Sequence, residues 1–239
     1  MGREMEKLRK IYEGKAKIIF ETDRPGLVIQ QFKEEATAFD GKKKAEIEGK
    51  GVANTQISAV LFKLLEEKGI KTHFRALISP NELATIHLKM IPVEVVVRNV
   101  AAGSLAKRLG YAEGRTLKRP LVEFYFKNDE LGDPIINEDH IAELKLATPA
   151  QLKEMRETAL KVNQVLREFF GARGLELVDF KLEFGVASRG EIILGDEISP
   201  DTCRFWDKES RKKLDKDRFR HDLGEVEEAY QEVLKRVRS

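Results

Sequence analysis

The sequence contains very little cysteine and no long apolar run. Cys203 is the single cysteine among 239 residues, which excludes an intramolecular disulfide and fits a reducing compartment. No segment approaches the ~20 apolar residues that a membrane-spanning helix requires. The first ten residues also lack the apolar centre of a signal peptide. We therefore expect a cytoplasmic protein that has no membrane partner.

Three common kinds of functional site are missing as well. The four histidines show no metal-ligand spacing such as H-x-x-x-H. Cys203 has no evident base to activate it, so it is not a credible nucleophile. The phosphate-binding pattern G-x-x-x-x-G-K-[ST] is absent. Any nucleotide site in this chain must therefore be built from other residues.

Charge is abundant but almost balanced between the two signs. Lys and Arg number 43 and Asp and Glu number 41, which gives a net charge of +2. A nucleic-acid-binding protein normally shows a dominant basic face, so we expect no nucleic-acid partner. A local basic pocket for a small anion remains compatible with this balance.

The most informative stretch begins at Leu177, where L-V-D-F-K-L-E-F-G alternates strictly between apolar and charged residues. This period of two predicts a strand with one buried face. A turn around Gly190 predicts that the following residues return as an antiparallel partner. Asp196 then lies within about one residue of the position opposite Glu183, where facing Cβ atoms are roughly 5 Å apart. One face of this hairpin carries four charged side chains: Asp179, Lys181, Glu183 and Asp196.

Two interpretations of this charged face are possible. The ordinary one is a solvated strand face in which Lys181 forms an ion pair. Carboxylates on rigid strands also suit Mg²⁺, which takes one or two of them and leaves its other positions to water and phosphate. The hairpin continues into S-P-D-T-C-R-F-W-D, which we interpret as an irregular loop, where binding residues concentrate. We therefore favour a functional site on this face over a merely solvated one.

A second segment, I-P-V-E-V-V-V-R-N-V-A-A-G-S at 91–104, predicts a central strand that ends at Arg98 and leads into a short helix. A guanidinium beside a helix N-terminus suits an anion, although a structural Arg98 and an ordinary N-cap Ser104 are equally compatible. Lys15 and Lys17 follow Gly14 in a predicted hairpin, where two solvated lysines are the ordinary interpretation.

These two segments, 177–185 and 91–104, resemble the signature segments of the SAICAR synthetase family, the phosphoribosylaminoimidazole-succinocarboxamide synthases of purine biosynthesis. The resemblance extends over nearly the whole chain, from G-K-A-K at 14–17 to D-K-D-R-F-R at 215–220. It implies an ATP-dependent ligase that joins the carboxylate of carboxyaminoimidazole ribonucleotide (CAIR) to the amine of L-aspartate through an acyl phosphate. The alternatives are a small-molecule kinase of related fold, or a nucleotide-sensing or RNA-binding module without turnover.

The resemblance also implies roles for individual residues. Contacts to ATP are implied for Lys15, Lys17, Met90 and Lys127, with Met90 at the adenine, although a core methionine is as compatible with the sequence. Mg²⁺ is implied on Glu183 and Asp196. The ribonucleotide is implied to contact Arg98, Ser104, Arg204 and Arg218. Lys181 would stabilise charge on the transferring group, and Asp179 would orient Lys181 or act as a base. Thr37 and Asp40 would border the substrate, and Cys203 stands where the family commonly has Ser.

The fold expected from pattern and resemblance is α+β, a two-lobed ATP-grasp-like architecture of antiparallel sheets with flanking helices. Residues 1–90 form a β-rich nucleotide-covering lobe, and residues 91–239 carry the metal hairpin and the substrate site, with ATP in the cleft between them. Thr148-Pro149 predicts a helix start with a capping box. Helices are expected at about 208–216 and 223–237, and residues 137–140 are expected to form a turn. The family suggests a homodimer or another homo-oligomer.

Overall fold

The computed structural model describes residues 5–38 and 43–239 of the chain. The strands of this part are β1 (Lys7–Glu13), β2 (Lys17–Thr22), β3 (Leu27–Phe32), β4 (Glu35–Ala38), β5 (Lys43–Glu46), β6 (Phe74–Ser79), β7 (Glu82–Ile86), β8 (Lys89–Val100), β9 (Thr116–Phe126), β10 (Ile135–Ile136), β11 (Leu175–Val186), β12 (Ile192–Gly195) and β13 (Cys203–Asp207). The helices are α1 (Lys50–Glu67), α2 (Gly103–Leu109), α3 (Glu138–Glu143), α4 (Pro149–Gly171), α5 (Asp217–Arg220) and α6 (Val226–Arg238). Asp40, which the resemblance implied to border the substrate, lies outside the described residues.

Two antiparallel sheets form the framework of the described chain. The first has the strand order β1-β2-β3-β7-β6, and the second has the order β10-β9-β8-β11-β12, with β13 also paired to β11. Strand β11 is central because its long alternating segment pairs with β8 on one side and with β12 and β13 on the other. The predicted hairpin is confirmed, with a turn at Gly190 in the left-handed region (φ 85°). Antiparallel sheets with helices confirm the α+β class.

A continuous apolar cluster connects the two sheets. It includes Phe32 and Leu83 from the first sheet and Val95 and Phe180 from the second. Helices α1, α4 and α6 contribute their buried stripes to the same cluster, as the helical spacing of their apolar residues predicts. Each large side chain that is fully buried stabilises the fold by roughly 1.5–3 kcal/mol. The two sheets therefore share one core.

Helix α4 begins where its sequence predicts. The Thr148 side chain accepts a hydrogen bond from Gln151 N at 3.2 Å, and the Gln151 side chain accepts one from Thr148 N at 2.8 Å. This reciprocal capping box, followed by Pro149 in the first turn, satisfies backbone donors that the helix itself cannot pair.

One backbone contact fixes the junction of the sheets. His73 N donates to Leu194 O at 2.9 Å, so the chain entering β6 is bonded to β12. Asp196 follows β12 directly and has a φ of 59°, a left-handed conformation that Asp tolerates better than most residues. This conformation ends the strand and turns Asp196 towards the first sheet.

Three local predictions were wrong. Residues 208–216 are not helical, because the Asp207 carboxylate accepts hydrogen bonds from Ser210 and closes a turn that pairs Trp206 with Lys213. The segment interpreted as an irregular loop contains β13, since its alternating residues pair with β11. Residues 137–140 begin α3, where Asn137 forms a capping box with His140.

Strand β8 also differs from its prediction, because it continues two residues beyond Arg98 to Val100. None of the helices in residues 5–38 and 43–239 is long and apolar enough to cross a membrane.

Candidate active site

A cleft of about 1220 Å³ lies between the two sheets. Eleven of the twelve predicted site residues line it: Lys15, Lys17, Met90, Arg98, Ser104, Lys127, Asp179, Lys181, Glu183, Asp196 and Arg204. Thr37 also lines the cleft. The charged side chains fall into two groups, one of lysines with carboxylates and one of arginines around Asp179.

The lysine–carboxylate group is centred on Glu183. Glu183 lies directly opposite Glu94 in the pairing of β11 with β8. Lys181 Nζ is 2.6 Å from Glu183 Oε1 and 2.7 Å from Glu94 Oε1, and Lys127 Nζ is 2.6 Å from the same Glu183 oxygen. Burial by itself would lower the pKa of Lys181, but the charges of Glu183, Glu94 and Asp196 outweigh it and raise that pKa well above its ordinary value. Lys181 is therefore a permanent positive charge at the cleft.

Lys17 extends this group from the first sheet. Its ammonium is paired with Asp196 and lies 3.1 Å from Glu197 Oε1. Burial opposes ionisation of Asp196, but Lys17, Lys181 and Lys127 outweigh it and hold the pKa of Asp196 below its ordinary value. Lys15 is more exposed, and its Nζ lies 2.7 Å from Asp129 Oδ1 across the mouth of the cleft.

Glu183 and Asp196 suit the predicted metal. Both carboxylates line the same cleft, since Glu183 in β11 pairs with Gly195, the residue before Asp196. Mg²⁺ needs only one or two carboxylates when phosphate oxygens and water complete its coordination. Both accept hydrogen bonds from lysines, the cations that also pair with phosphate. Residues 5–38 and 43–239 contain no group of three or more His, Cys, Asp or Glu side chains arranged for a metal. Phosphate oxygens and water would therefore supply the remaining ligands.

The second group is built around the buried Asp179. Arg98 Nη1 lies 2.8 Å from Asp179 Oδ2, and Arg204 Nη1 lies 2.9 Å from the same oxygen. Arg98 Nη2 donates to Ser104 Oγ at 3.2 Å. Asp179 therefore orients two arginines and not Lys181, whose carboxylate partners are Glu94 and Glu183. This corrects the expectation that Asp179 orients Lys181.

Local backbone geometry makes room for Arg204. Gly103 begins α2 with a φ of 52°, and a Cβ at this position would lie 2.7 Å from Arg204 Nη2. Arg204 Nε is held by Asp217 Oδ2 at 2.8 Å, and Asp217 also binds Arg220 Nη1 at 2.6 Å. A larger residue at 103 would displace the Arg204 guanidinium.

Arg218 is the predicted residue that lies elsewhere. Its buried guanidinium donates to the backbone carbonyls of Lys213, Leu223 and Gly224, and it does not line the cleft. These bonds stabilise the connection between α5 and α6. Arg218 therefore has a structural role in this fold, in place of the predicted contact with the ribonucleotide. Arg220 lines the cleft instead.

Several cleft residues were missed from sequence. They are Gln30, His73, Glu94, Glu197 and Lys216. Glu94 carried a usable signal, because alternation places it on the same strand face as Arg98, with Val96 between them. The others come from different elements, and no spacing in the sequence joins them.

Cys203 lies buried in β13, and burial raises the pKa of its thiol far above its ordinary value. A thiolate nucleophile is therefore not available at this position.

Asp215 provides a pH-dependent test of this region. Burial, and then the charge of Asp217, raises the pKa of Asp215 to about 7. An unfolded Asp ionises near pH 3.9, so between about pH 4 and 7 the native state holds a proton that the unfolded chain has lost. Stability therefore falls as pH rises through this window. Asp215→Asn cannot ionise and does not share this loss. The free energy of unfolding of the variant minus that of the wild type should therefore be larger at pH 8 than at pH 5.

Urea unfolding of the wild type and of Asp215→Asn at pH 5 and pH 8 measures this difference in free energy. Titrating groups that both proteins share contribute equally to the two and cancel when the free energies are subtracted. The same difference between the proteins at pH 5 and pH 8 would contradict the raised pKa.

The comparisons with known proteins point to one family. The SAICAR synthetase family pattern matches residues 10–237. A phosphoribosylaminoimidazole-succinocarboxamide synthase of Persephonella marina is 59% identical over 233 residues, which cover 98% of each chain. The crystal structure of the synthase of the same name from Ehrlichia chaffeensis is 50% identical, with a TM-score of 0.94 and coverage of 96% of this chain and 98% of that one. A SAICAR synthetase solved in complex with ADP is 53% identical, with a TM-score of 0.92 and coverage of 95% and 96%. The chain belongs to the SAICAR synthetase family.

Proposed function

We propose that this protein joins the carboxylate of CAIR to the amine of L-aspartate, with conversion of ATP to ADP and phosphate, in de novo purine biosynthesis. The observation that carries this proposal is a cleft that combines a lysine–carboxylate group with an arginine group, in a chain of this family. The related structure in complex with ADP supports use of ATP. The product is the succinocarboxamide ribonucleotide (SAICAR).

The chemistry explains why both groups are needed. A carboxylate is a poor acyl donor because its oxygen is a bad leaving group. Transfer of the γ-phosphoryl group to CAIR gives an acyl phosphate, which the aspartate amine attacks with loss of phosphate. Catalysis of phosphoryl transfer is mainly positioning and charge stabilisation. Lys15, Lys17 and Lys127 would bind the ATP phosphates, and Lys181 would stabilise charge on the transferring group.

Glu183 and Asp196 would hold Mg²⁺, which supplies positive charge to the triphosphate oxygens. Arg98, Ser104 and Arg204 would bind the ribonucleotide, because they line the cleft and present positive charge and hydrogen-bonding groups to an anionic ligand. Asp179 would keep both guanidiniums oriented, and it remains a candidate base for the aspartate amine. Met90 would contact the adenine.

We further propose an ATP-grasp-like arrangement, in which residues 1–90 cover the nucleotide and residues 91–239 carry the substrate site. A cytoplasmic location and a homodimer, or another homo-oligomer, complete the proposal. Sedimentation at micromolar concentration measures the oligomeric state directly, and a monomer would contradict that part alone.

The function is tested by ADP release from Mg-ATP with CAIR, with and without L-aspartate. We expect release that requires both substrates. Release with CAIR alone would indicate a small-molecule kinase, since such an enzyme needs no amine acceptor. The absence of release in every mixture would contradict the ligase and would favour a nucleotide sensor.

A further inference from the structure

Strand β11 carries a β-bulge directly before Asp179. From Leu177 to Asp179 the strand takes two steps, while its partner β13 takes one, so Val178 is the extra residue. Strict alternation would place Val178 with Phe180 in the main core, but it packs beside Trp206 in a separate apolar cluster. A bulge bends its strand and re-aims the neighbouring side chain. The direction of Asp179 therefore depends on how this bulge is held.

A pair of buried amides lies behind Arg98. Asn99 follows Arg98 in β8 and is 6% exposed, and Asn163 of α4 is 3% exposed. Asn99 Nδ2 donates to Asn163 Oδ1 at 2.8 Å, and Asn163 Nδ2 donates to Asn99 Oδ1 at 3.0 Å. Successive strand residues point to opposite faces, so Asn99 points away from the cleft that Arg98 lines. The two bonds join the end of β8 to α4.

The same amide pair also reaches the bulge. Asn99 Nδ2 donates to Leu177 O at 3.1 Å, which it can do because an amide nitrogen carries two hydrogens. The main-chain pairing of β11 with β8 begins at Asp179, which lies opposite Arg98. The Asn99 side chain therefore continues the connection between these two strands to the far side of the bulge.

Apolar side chains surround this amide pair. Ala159, Val162 and Leu166 of α4 belong to the main core cluster, before and after Asn163 in the helix. A buried hydrogen bond contributes little net stability, and replacement of both partners by apolar groups of similar shape can be nearly neutral. A hydrogen bond does require a defined distance and direction. The amide pair therefore fixes a geometry more than it adds stability.

We propose that Asn99 and Asn163 are positioning residues of the ribonucleotide site. They hold the bulge of β11 and the end of β8 in the arrangement that directs Asp179 at Arg98 and Arg204. This inference rests on the proposed function, because it takes the arginine group as the site of the ribonucleotide. The lysine–carboxylate group lies beyond the bulge, where β11 pairs regularly with β8, and should not depend on the amides.

The test is the double variant Asn99→Leu/Asn163→Leu, which removes both amides and keeps side chains of similar size. Calorimetry measures the binding of CAIR and of ADP, and urea unfolding measures stability. We expect affinity for CAIR to fall about 10- to 100-fold, since a small displacement of positioned groups has an effect of this order. Affinity for ADP and the urea midpoint should stay close to those of the wild type. In turnover, KM for CAIR should rise while KM for ATP stays unchanged.

Gln164→Leu is the matched control. Gln164 follows Asn163 in α4, but its amide lies at the surface, where Nε2 is 3.3 Å from Glu168 Oε1. Both affinities of this variant should equal those of the wild type. Asn163→Ala is a second test variant, which removes one amide at a helical position where Ala is favoured. It should show the same selective loss of CAIR affinity, and it decides the question if the double variant does not fold.

Two results would overturn the inference and leave the ligase proposal intact. One is unchanged affinity for CAIR in Asn99→Leu/Asn163→Leu and in Asn163→Ala. The other is an equal loss of CAIR and ADP affinity in both variants, which would show a structural role only. If the wild type bound ADP but no CAIR, the ligase proposal and this inference would fail together.

Discussion

Replacement of Glu183 by Gln should reduce turnover by at least about 10³-fold, measured as ADP release with both substrates present. Removal of one preorganised electrostatic contact in an active site already costs about 10²–10³ in rate. Glu183 is bonded to both Lys127 and Lys181 and is a proposed Mg²⁺ ligand, so its charge serves more than one contact. Asp196→Asn should also lose most activity, because it removes a proposed Mg²⁺ ligand and one of the two carboxylates paired with Lys17.

Glu176→Gln is a matched control for Glu183→Gln. Glu176 lies on the same strand β11, but it pairs with Arg211 at the protein surface. The same change of charge should therefore leave turnover close to that of wild type. Activity of Glu183→Gln within 10-fold of wild type would exclude Glu183 from metal binding and from charge stabilisation.

Replacement of Lys50 by Met should strongly destabilise the protein. Lys50 Nζ lies 2.9 Å from Asp201 Oδ2, and the two side chains are only 1% and 5% exposed. Tyr230 Oη donates to the other Asp201 oxygen at 2.6 Å, so this network joins α1, α6 and the loop before β13. Lys50→Met breaks this buried pair and leaves Asp201 only the more distant Lys216, whose Nζ lies 4.0 Å from Asp201 Oδ2. Breaking a buried ion pair by removal of one partner typically costs about 3–5 kcal/mol. For a chain of this size, Tm should fall by roughly 10 °C.

Scanning calorimetry measures this fall in Tm. One control variant and one double variant test its cause. Lys71→Met removes an exposed lysine paired with Glu191 and should leave Tm unchanged, because exposed ion pairs contribute little. Lys50→Met/Asp201→Asn removes both buried charges and should be more stable than Lys50→Met alone. An unchanged Tm in Lys50→Met would show that Asp201 is satisfied without Lys50.

The site residues that lie on one strand, β11, could be predicted from the sequence. Alternation with a period of two assigned Asp179, Lys181 and Glu183 to one face before any pairing was known, because successive strand side chains point to opposite faces. The capping box at Thr148 was equally local, since its two hydrogen bonds span only three residues. Predictions of this kind depend on the backbone near each residue, and they were confirmed.

Other assignments depended on contacts that are distant in sequence. Arg218 and Arg220 are two residues apart in the short helix α5, which separates their side chains by about 200° around the axis. One therefore faces the connection to α6 and the other faces the cleft, and the motif alone could not tell which. We expected Asp179 to orient Lys181 because the two are neighbours on one strand face. The ion pairs of Asp179 are instead formed by Arg98 and Arg204, which lie opposite it on the paired strands.

The sequence by itself determined the α+β class, the charged hairpin and the residues of the motifs, because these follow from local periodicity and from the signature segments. Only the tertiary structure decided which charges meet. Strand register puts Glu94 opposite Glu183, and the junction at His73 brings Lys17 to Asp196 across 179 positions of the chain. Charged side chains interact through space at a few ångströms, so their partners are fixed by sheet pairing and packing and not by sequence spacing.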